Sequence, residues 1–212
     1  MGSDLREIGA DAFRQGLEQA NRKLGQPSPE PAVTEKLHAH YEELRRWNRT
    51  VALVGPAMAG EALEQHYAES LAGHSLIPAD ARTLVDVGSG AGFPGLILAA
   101  SGALHATLIE ARERKAAFLA AAARRMALQV SCLNARVESL PPTGLPAQID
   151  VVTMRAVRLS PSLLEPLLSR LSTGGRILLW CSGVQEVPST LEPTTELPLL
   201  GQRRIAAFRI RG

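Results

Sequence analysis

The sequence predicts an α/β fold: a parallel, doubly wound sheet with an antiparallel hairpin at its C-terminal end, preceded by a helical segment. Three observations predict it. Strand patterns are absent before residue 83, short apolar strands then alternate with helical stretches, and the last two strands are joined only through Gly201. Strands that alternate with helices along a chain pack as a parallel sheet covered on both faces.

The helical segment is expected over residues 1–75, packed on a core domain over residues 76–212 to form one compact unit. Helices are predicted at 4–24, 32–51 and 59–72. In the second of these, apolar residues recur at helical spacing, and the breaker QPSPEP precedes it.

The α/β region begins with the strand TLVDV and a helix that contains LILAA. The later predicted strands are HATLIE, QVSCL, IDVVTM and GRILLWC, and the later helices are RERKAAFLAAAARRMA and SPSLLEPLLSRL. PPTGLP reads as a loop, and TELPLL with RRIAAFRI reads as a hairpin at a sheet edge.

Composition sets limits on function. A formal net charge of +2 means that any nucleic-acid surface must be a local patch. Cys132 and Cys181 have neither metal spacing nor a disulfide framework, which predicts a reducing compartment and no metal site. The apolar runs are too short to span a bilayer and no leader opens the chain, so we expect a cytoplasmic monomer.

The stretch DVGSGAGFPG, residues 86–95, ends the first predicted strand, where α/β sheets bind their ligands. Residues 90–95 match the GxGxxG fingerprint of dinucleotide sites, and residues 88–92 match the GxGxG loop of S-adenosylmethionine enzymes. A loop that only packs a helix close to the sheet is the third interpretation.

Two residues favour the methyl donor over NAD. A carboxylate at Asp86 would repel a pyrophosphate, whereas a sulfonium and an ammonium group tolerate it. Pro94 lacks an N–H where a phosphate site needs one. Glu110 ends the second strand, at the distance from the glycine loop where an acid binds the ribose hydroxyls of a nucleoside cofactor. Both cofactors contain that ribose, so Glu110 does not distinguish them. Its alternative role is to cap the next helix.

Several motifs carry a resemblance to a known family: VDVGSGAGFPGLILA, ARERKAAFL, ARVESL, TMRAV, YEELRRWN and HYAESL. Together they resemble the small-subunit ribosomal RNA guanine-N7 methyltransferases, also called glucose-inhibited division protein B. The resemblance implies a Rossmann-like, S-adenosylmethionine-dependent methyltransferase that acts on small-subunit (16S) ribosomal RNA.

The resemblance also implies which residues hold the donor. They are the first glycine of the loop, the residue before its proline, an apolar–acid pair after the third strand and an arginine after the fourth: Gly88, Phe93, Val137 with Glu138, and Arg155. With the loop and the two acids, the predicted cofactor set is Asp86, Gly88, Gly90, Gly92, Phe93, Glu110, Val137, Glu138 and Arg155. Arg155 is also the candidate positioning residue of the reaction, although an ion pair is its alternative role.

Three departures from the family pattern bear on the substrate rather than on the donor. Ala52-Leu53-Val54 stands where the family has Asn-Leu-Thr, and Glu69 replaces an Asp. A family lysine near the fifth strand is absent from the stretch around Cys181.

Methylation at guanine N7 needs no general base, because that nitrogen carries a lone pair and no proton. Methyltransferases that act on exocyclic amines commonly have Asn/Asp-Pro-Pro-aromatic after the fourth strand. This chain has TMRAV at that place, which argues against amine methylation. A small-molecule methyltransferase, an NAD enzyme and a non-catalytic RNA-binding protein remain the alternatives.

Arginine clusters are the candidates for contact with RNA. We expect Arg45, Arg46 and Arg49 to flank the cleft, and Arg203 and Arg204, followed by Arg209 and Arg211, to contribute from the tail. Arg112, Arg114 and Lys115 begin one predicted helix, and Arg124 and Arg125 end it, where a helix C-terminus favours basic residues anyway. A solvated face is the alternative for each cluster.

Overall fold

The computed structural model describes residues 5–55, 63–183 and 186–211, with the backbone only at 63 and 64. Its α-helices are α1 (Ala10–Lys23), α2 (Pro31–Asn48), α3 (Glu69–Ala72), α4 (Gly95–Ser101), α5 (Glu113–Arg125) and α6 (Pro161–Leu168). Its strands are β1 (Thr83–Val87), β2 (His105–Glu110), β3 (Ser131–Asn134), β4 (Ile149–Arg155), β5 (Leu171–Ser182), β6 (Leu191–Pro198) and β7 (Arg203–Ile210).

The strands form one sheet in the order β3-β2-β1-β4-β5-β7-β6. The first five are parallel, and β7 runs antiparallel to both β5 and β6, so the predicted fold class is confirmed. The hairpin turns at Gly201, whose φ of +69° suits glycine. The strand order reverses between β1 and β4, which places a ligand crevice above the carboxyl ends of these two strands.

The third predicted helix differs most from the expectation. Residues 59–62 lie outside the described part of the chain, Leu63–Ala68 forms a π-helical turn, and α3 follows for only four residues. The first helix is also shorter than predicted, because residues 5–9 are not helical.

Side chains of each strand alternate between two hydrophobic clusters, one on each face of the sheet. In β1, Leu84 belongs to the cluster covered by α4, α5 and the N-terminal helices, and Val85 and Val87 belong to the one covered by α6. The period of two therefore directs Asp86 to the same face as Leu84.

The N-terminal helices contribute to the core of the first face. Phe13, Leu17 and Leu37 are fully buried in the cluster that also contains Leu84. A Cβ at Gly73 would lie 2.5 Å from the ring of Trp180 on β5, so the segment after α3 also packs closely on the sheet. The described part of the helical segment and the sheet thus share one hydrophobic cluster.

Candidate functional site

The glycine loop follows β1 and turns through conformations that only glycine adopts readily. Gly88, Gly90 and Gly92 have φ values of +69°, +53° and +85°. The amides of Gly88 and Ser89 both donate to the Ile109 carbonyl, at 2.9 and 3.1 Å, so the loop stays attached to β2. A Cβ at Gly88 would lie 2.7 Å from Cγ2 of Val157, which follows β4. The positive φ and the close packing against Val157 therefore both require glycine at position 88.

Asp86 lies beneath the loop and has no accessible surface. Thr153 donates a hydrogen bond of 2.6 Å to its Oδ1, and its Oδ2 lies against Gly95 in the first turn of α4. Burial raises the pKa of Asp86 to about 6, against the hydrogen bond from Thr153, which lowers it. The expected contact of this carboxylate with a ligand is corrected: Asp86 points into the core and supports the loop from below.

Glu110 ends β2 and connects two loops. Its Oε2 accepts from the Gly90 amide at 3.0 Å and its Oε1 from the Arg112 amide at 2.8 Å. The carboxylate thus joins the glycine loop to the residue that precedes α5, and its contact with a ribose remains a prediction. An ionised carboxylate accepts about four hydrogen bonds, so two positions remain for a ligand.

Phe93 is buried between the N-terminal segment and the glycine loop. Its ring stacks on His66 at 4.6 Å and meets Tyr67 edge-on at 5.0 Å. The ring of His40 lies 5.2 Å away, and its Nε2 is 3.0 Å from the Ala91 carbonyl in the loop. With only 6% of the residue exposed, the Phe93 side chain fastens the loop to the N-terminal segment, and its contact with the donor remains a prediction.

The apolar–acid pair follows β3 in a short 3-10 turn, Val137–Ser139. Val137 is 3% exposed and belongs to the cluster of the second face, whereas Glu138 is exposed. Asn134, just before this turn, donates to the Glu110 carbonyl at 3.0 Å. The ends of β2 and β3 are therefore joined beside the glycine loop, with Glu138 free to face solvent or a ligand.

Arg155 ends β4 in an ion-pair network with Glu69 and Arg203. Its Nη2 lies 2.9 Å from Oε2 of Glu69, and Nε of Arg203 lies 2.9 Å from Oε1 of the same carboxylate. The side chain of Glu69 is only 1% exposed, and the Glu69 carbonyl accepts from Trp180 at 2.8 Å. The ion pair that was the alternative for Arg155 is thus present, and one buried carboxylate positions two guanidinium groups.

A cleft of about 470 Å³ opens above this network, at the carboxyl ends of β4 and β5 and the start of β7. Arg155, Arg158, Arg203 and Arg204 line it, together with Cys181, which stands in the stretch that lacks the family lysine. Four cationic residues and one carboxylate make the cleft positive, which favours a phosphate-bearing ligand.

Backbone strain also occurs at the end of β4, beside the cleft. Ala156, directly after Arg155, has a φ of +57°, which costs a residue with a Cβ about 1 kcal/mol. Nη1 of Arg155 is buried and has no hydrogen-bond partner among the described residues. A strained turn beside an unpartnered buried donor is typical of a site that completes its contacts with a ligand.

Two buried histidines are functional candidates that the sequence interpretation missed. Burial, together with the charges of Arg155, His40 and Arg203, lowers the pKa of His66 to about 3. Burial lowers the pKa of His40 to about 4. Both rings are therefore neutral near pH 7, and neither ring nitrogen of His66 has a partner within the described ranges.

The predicted RNA arginines separate into two places. Arg203 and Arg204 line the cleft, where Arg204 also pairs with Glu196 at 3.1 Å. Arg45, Arg46 and Arg49 line a different groove with the last turn of α5. Because α5 leads from the carboxyl end of β2 back to the amino end of β3, its last turn lies at the opposite edge of the sheet. The expectation that these three residues flank the cleft is therefore wrong.

Among the described residues, no cluster of three or more histidine, cysteine or acidic side chains could hold a metal ion. None of the helices described is long and apolar enough to cross a membrane.

Comparisons with known proteins agree with this geometry. A family model, GidB: rRNA small subunit methyltransferase G, matches residues 33–187. The ribosomal RNA small subunit methyltransferase G of Paramagnetospirillum magneticum is 40% identical over 144 residues, 68% of this chain and 68% of that protein. The protein of the same name from Rhodospirillum rubrum is 32% identical over 186 residues, 80% of this chain and 90% of that one.

A solved structure similar to this chain is a mutant of MtNAS in complex with S-adenosylmethionine. The two chains superpose with a TM-score of 0.57 at 11% sequence identity, and the match covers 95% of this chain and 77% of the other. At that identity the likeness shows the fold alone.

Proposed function

The chain belongs to the family of ribosomal RNA small subunit methyltransferases G, and we propose that it methylates N7 of a specific guanine in small-subunit ribosomal RNA with S-adenosylmethionine as donor. One observation carries the proposal. The glycine loop, with its three positive φ values, lies between the carboxylate of Glu110 and a cleft lined by four arginines. A nucleoside donor and a phosphate-bearing substrate thus have adjoining sites at the same edge of the sheet.

The residues present fit the donor. Glu110 has two acceptor positions left for the ribose hydroxyls, as its other two hold the loop amides. A Cβ at Gly90 would meet only the Gly88 carbonyl, at 3.6 Å, so a ligand has room to approach the backbone there. When bound, S-adenosylmethionine supplies a methyl group attached to a positively charged sulfonium sulfur, which is a good leaving group.

The same loop fits a pyrophosphate poorly. The helix α4 begins at Gly95 after a proline without an N–H, and the buried Asp86 carboxylate already interacts with the Gly95 amide. The positive end of this short helix is therefore engaged from inside the protein, which supports the methyl donor over NAD.

This chain contributes to the reaction by positioning. Guanine presents N7 and O6 on one edge, and N7 must stay free to attack. Nη1 of Arg155 is an unpartnered donor beside the cleft, suited to hold O6 or a phosphate oxygen while Glu69 fixes the other side of the guanidinium. Catalysis then rests on proximity and electrostatics, with no general base.

The remaining arginines of the cleft are suited to the substrate's backbone. Arg158, Arg203 and Arg204 surround the entrance, and guanidinium groups bind phosphate oxygens in a bidentate manner. A target base must be in a loop or an opened region to reach such a cleft, because N7 faces a deep, narrow groove in A-form RNA. The cytoplasm remains the predicted location and a monomer the predicted state.

The test is methyl transfer from labelled S-adenosylmethionine to small-subunit ribosomal RNA, both naked and in assembled subunits. Mass analysis of the product nucleosides identifies the base, and N7-methylguanine is the expected product. Methylation elsewhere on guanine would contradict the chemistry proposed for this site. Transfer to neither RNA form, with donor binding intact, would favour a small-molecule substrate or a non-catalytic binding protein.

A further inference from the structure

A basic groove lies between the C-terminal ends of α2 and α5, far from the cleft. Five arginines line it together with Ala121 and two glutamates: Glu42, Glu43, Arg45, Arg46, Arg49, Arg124 and Arg125. Its volume is about 740 Å³. The arginines of α2 and those of α5 are about 75 positions apart in the sequence, and the packing of Phe118 against Trp47 and His40 holds the two helices together.

Not all of these arginines serve the same purpose. Arg45 is only 20% exposed and lies 3.5 Å from Glu7 and 3.9 Å from Glu42, so its charge is used within the protein. Arg46 pairs with Glu43 at 2.6 Å but remains 72% exposed. Arg124 and Arg125 are exposed and form no ion pair with a described carboxylate.

Helix ends alone do not account for this accumulation. Two helix C-termini meet here, and each carries roughly half a negative charge that attracts basic side chains. One arginine would balance that charge, whereas Arg124 and Arg125 add two exposed charges that pair with no described carboxylate. This surplus charge makes the groove a site for anions, and its position between two helices suits the phosphates of an RNA backbone.

We propose that this groove is a second RNA-docking surface, which binds backbone phosphates of the substrate that flank the methylated base. The inference rests on the proposed function. Along α5, Arg124 in the groove lies about 16 Å from the first residue of the helix, which begins beside Glu110 of the proposed donor site, at 1.5 Å per residue. RNA bound there contacts the protein without reaching the reacting atoms, so the groove sets affinity and orientation but carries no sequence information.

The test compares two pairs of substitutions in the full chain. Arg124→Ala with Arg125→Ala removes two charges from the groove, and Arg14→Ala with Arg22→Ala removes two from α1 as a matched control. Each is measured for binding to a small-subunit ribosomal RNA transcript, to a short RNA with the target loop alone and to assembled subunits. Salt series, methyl transfer and thermal unfolding are recorded for all variants.

We expect the groove pair to bind the long transcript roughly five- to tenfold more weakly at low salt, the range for two exposed charge contacts. The slope of log K against log salt should become shallower by roughly 1.5, for two lost phosphate contacts. The effect should appear in KM rather than kcat and be absent with the short RNA. Arg124→Lys with Arg125→Lys, which keeps the charges, should restore most of the binding.

The other outcomes count against the groove in distinguishable ways. A wild type that methylates RNA while the groove pair binds like the control would overturn this inference and leave the proposed function standing. A defect seen only with assembled subunits would assign the groove to a ribosomal protein instead of RNA. A wild type that neither binds nor methylates small-subunit RNA would overturn the proposed function and the groove together.

Discussion

Replacing Glu69 with glutamine tests whether one buried carboxylate holds the reaction centre in place. Glu69→Gln keeps the size of the side chain and removes the charge that faces Arg155 and Arg203, each 2.9 Å away. Two guanidinium groups would then lie side by side without a counter-charge.

The expected loss of stability follows from burial. Removing one partner of a buried ion pair costs roughly 3–5 kcal/mol. The carboxylate is 1% exposed, but the side chains of Arg155 and Arg203 are 17% and 31% exposed, so water screens part of the effect. We therefore expect the free energy of unfolding to fall by about 2–4 kcal/mol, a urea midpoint lower by roughly 1–2 M at a slope of about 2 kcal/mol per molar.

The assays are urea unfolding, donor binding by calorimetry and methyl-transfer kinetics. The kcat of Glu69→Gln should fall more than its affinity for the donor, because Arg155 loses its anchor while the glycine loop is intact. Glu69→Asp is the matched control: it keeps the charge, and the related family has an aspartate at the corresponding place. A Glu69→Gln variant with the urea midpoint and kcat of the wild type would refute the positioning role.

Three further predictions concern the loop and the buried histidines. Gly88→Val adds a side chain toward Val157 at a positive φ, so donor affinity should collapse in a protein that still folds, and unchanged calorimetric binding would contradict the loop assignment. Glu110→Gln should weaken donor binding by roughly 1–3 kcal/mol, and robust NAD binding to the wild-type protein without binding of the methyl donor would instead support a dinucleotide site. His40 and His66 have folded pKa values of about 4 and about 3, below the ordinary 6.5, so their stabilisation is present above pH 6.5 and is lost as the pH falls. The unfolding free energy of the wild type should fall as the pH is lowered from 6.5 to 4, and His66→Phe should make this fall smaller by roughly 1.4 kcal/mol per pH unit. The exposed His105→Gln is the control. If the unfolding free energy of His66→Phe depends on pH as steeply as that of the control, this prediction is wrong.

Much of the fold followed from local pattern. The β1 and β2 boundaries agree with TLVDV and HATLIE, because buried parallel strands are short, continuous apolar runs bounded by turn residues. The third helix was harder to predict: its π-helical turn places Gln65, whose carbonyl accepts from Arg155, and α3 places Glu69. Such a departure from α-helical geometry depends on tertiary contacts and has no periodic signal.

The candidate site divides in the same way. Motif and spacing located Gly88, Glu110 and Arg155 at the carboxyl ends of β1, β2 and β4, which the strand order then brought to one crevice. Alternation along β1 could have indicated that Asp86 faces the same side as Leu84 and therefore the core. No sequence signal indicated that Glu69 would meet Arg155, since the two are 86 positions apart.

By itself the sequence determined how strands and helices succeed one another along the chain, where the glycine loop lies and which residues follow each strand. These features depend on residues that are neighbours in the sequence. Only the tertiary structure decided what each of those residues contacts. It turned Asp86 inward, joined Glu69 to two arginines and moved Arg45, Arg46 and Arg49 to the far edge of the sheet. The physical reason is that burial and ion pairing arise between segments distant in sequence, so they exist only once the helices have packed on the sheet.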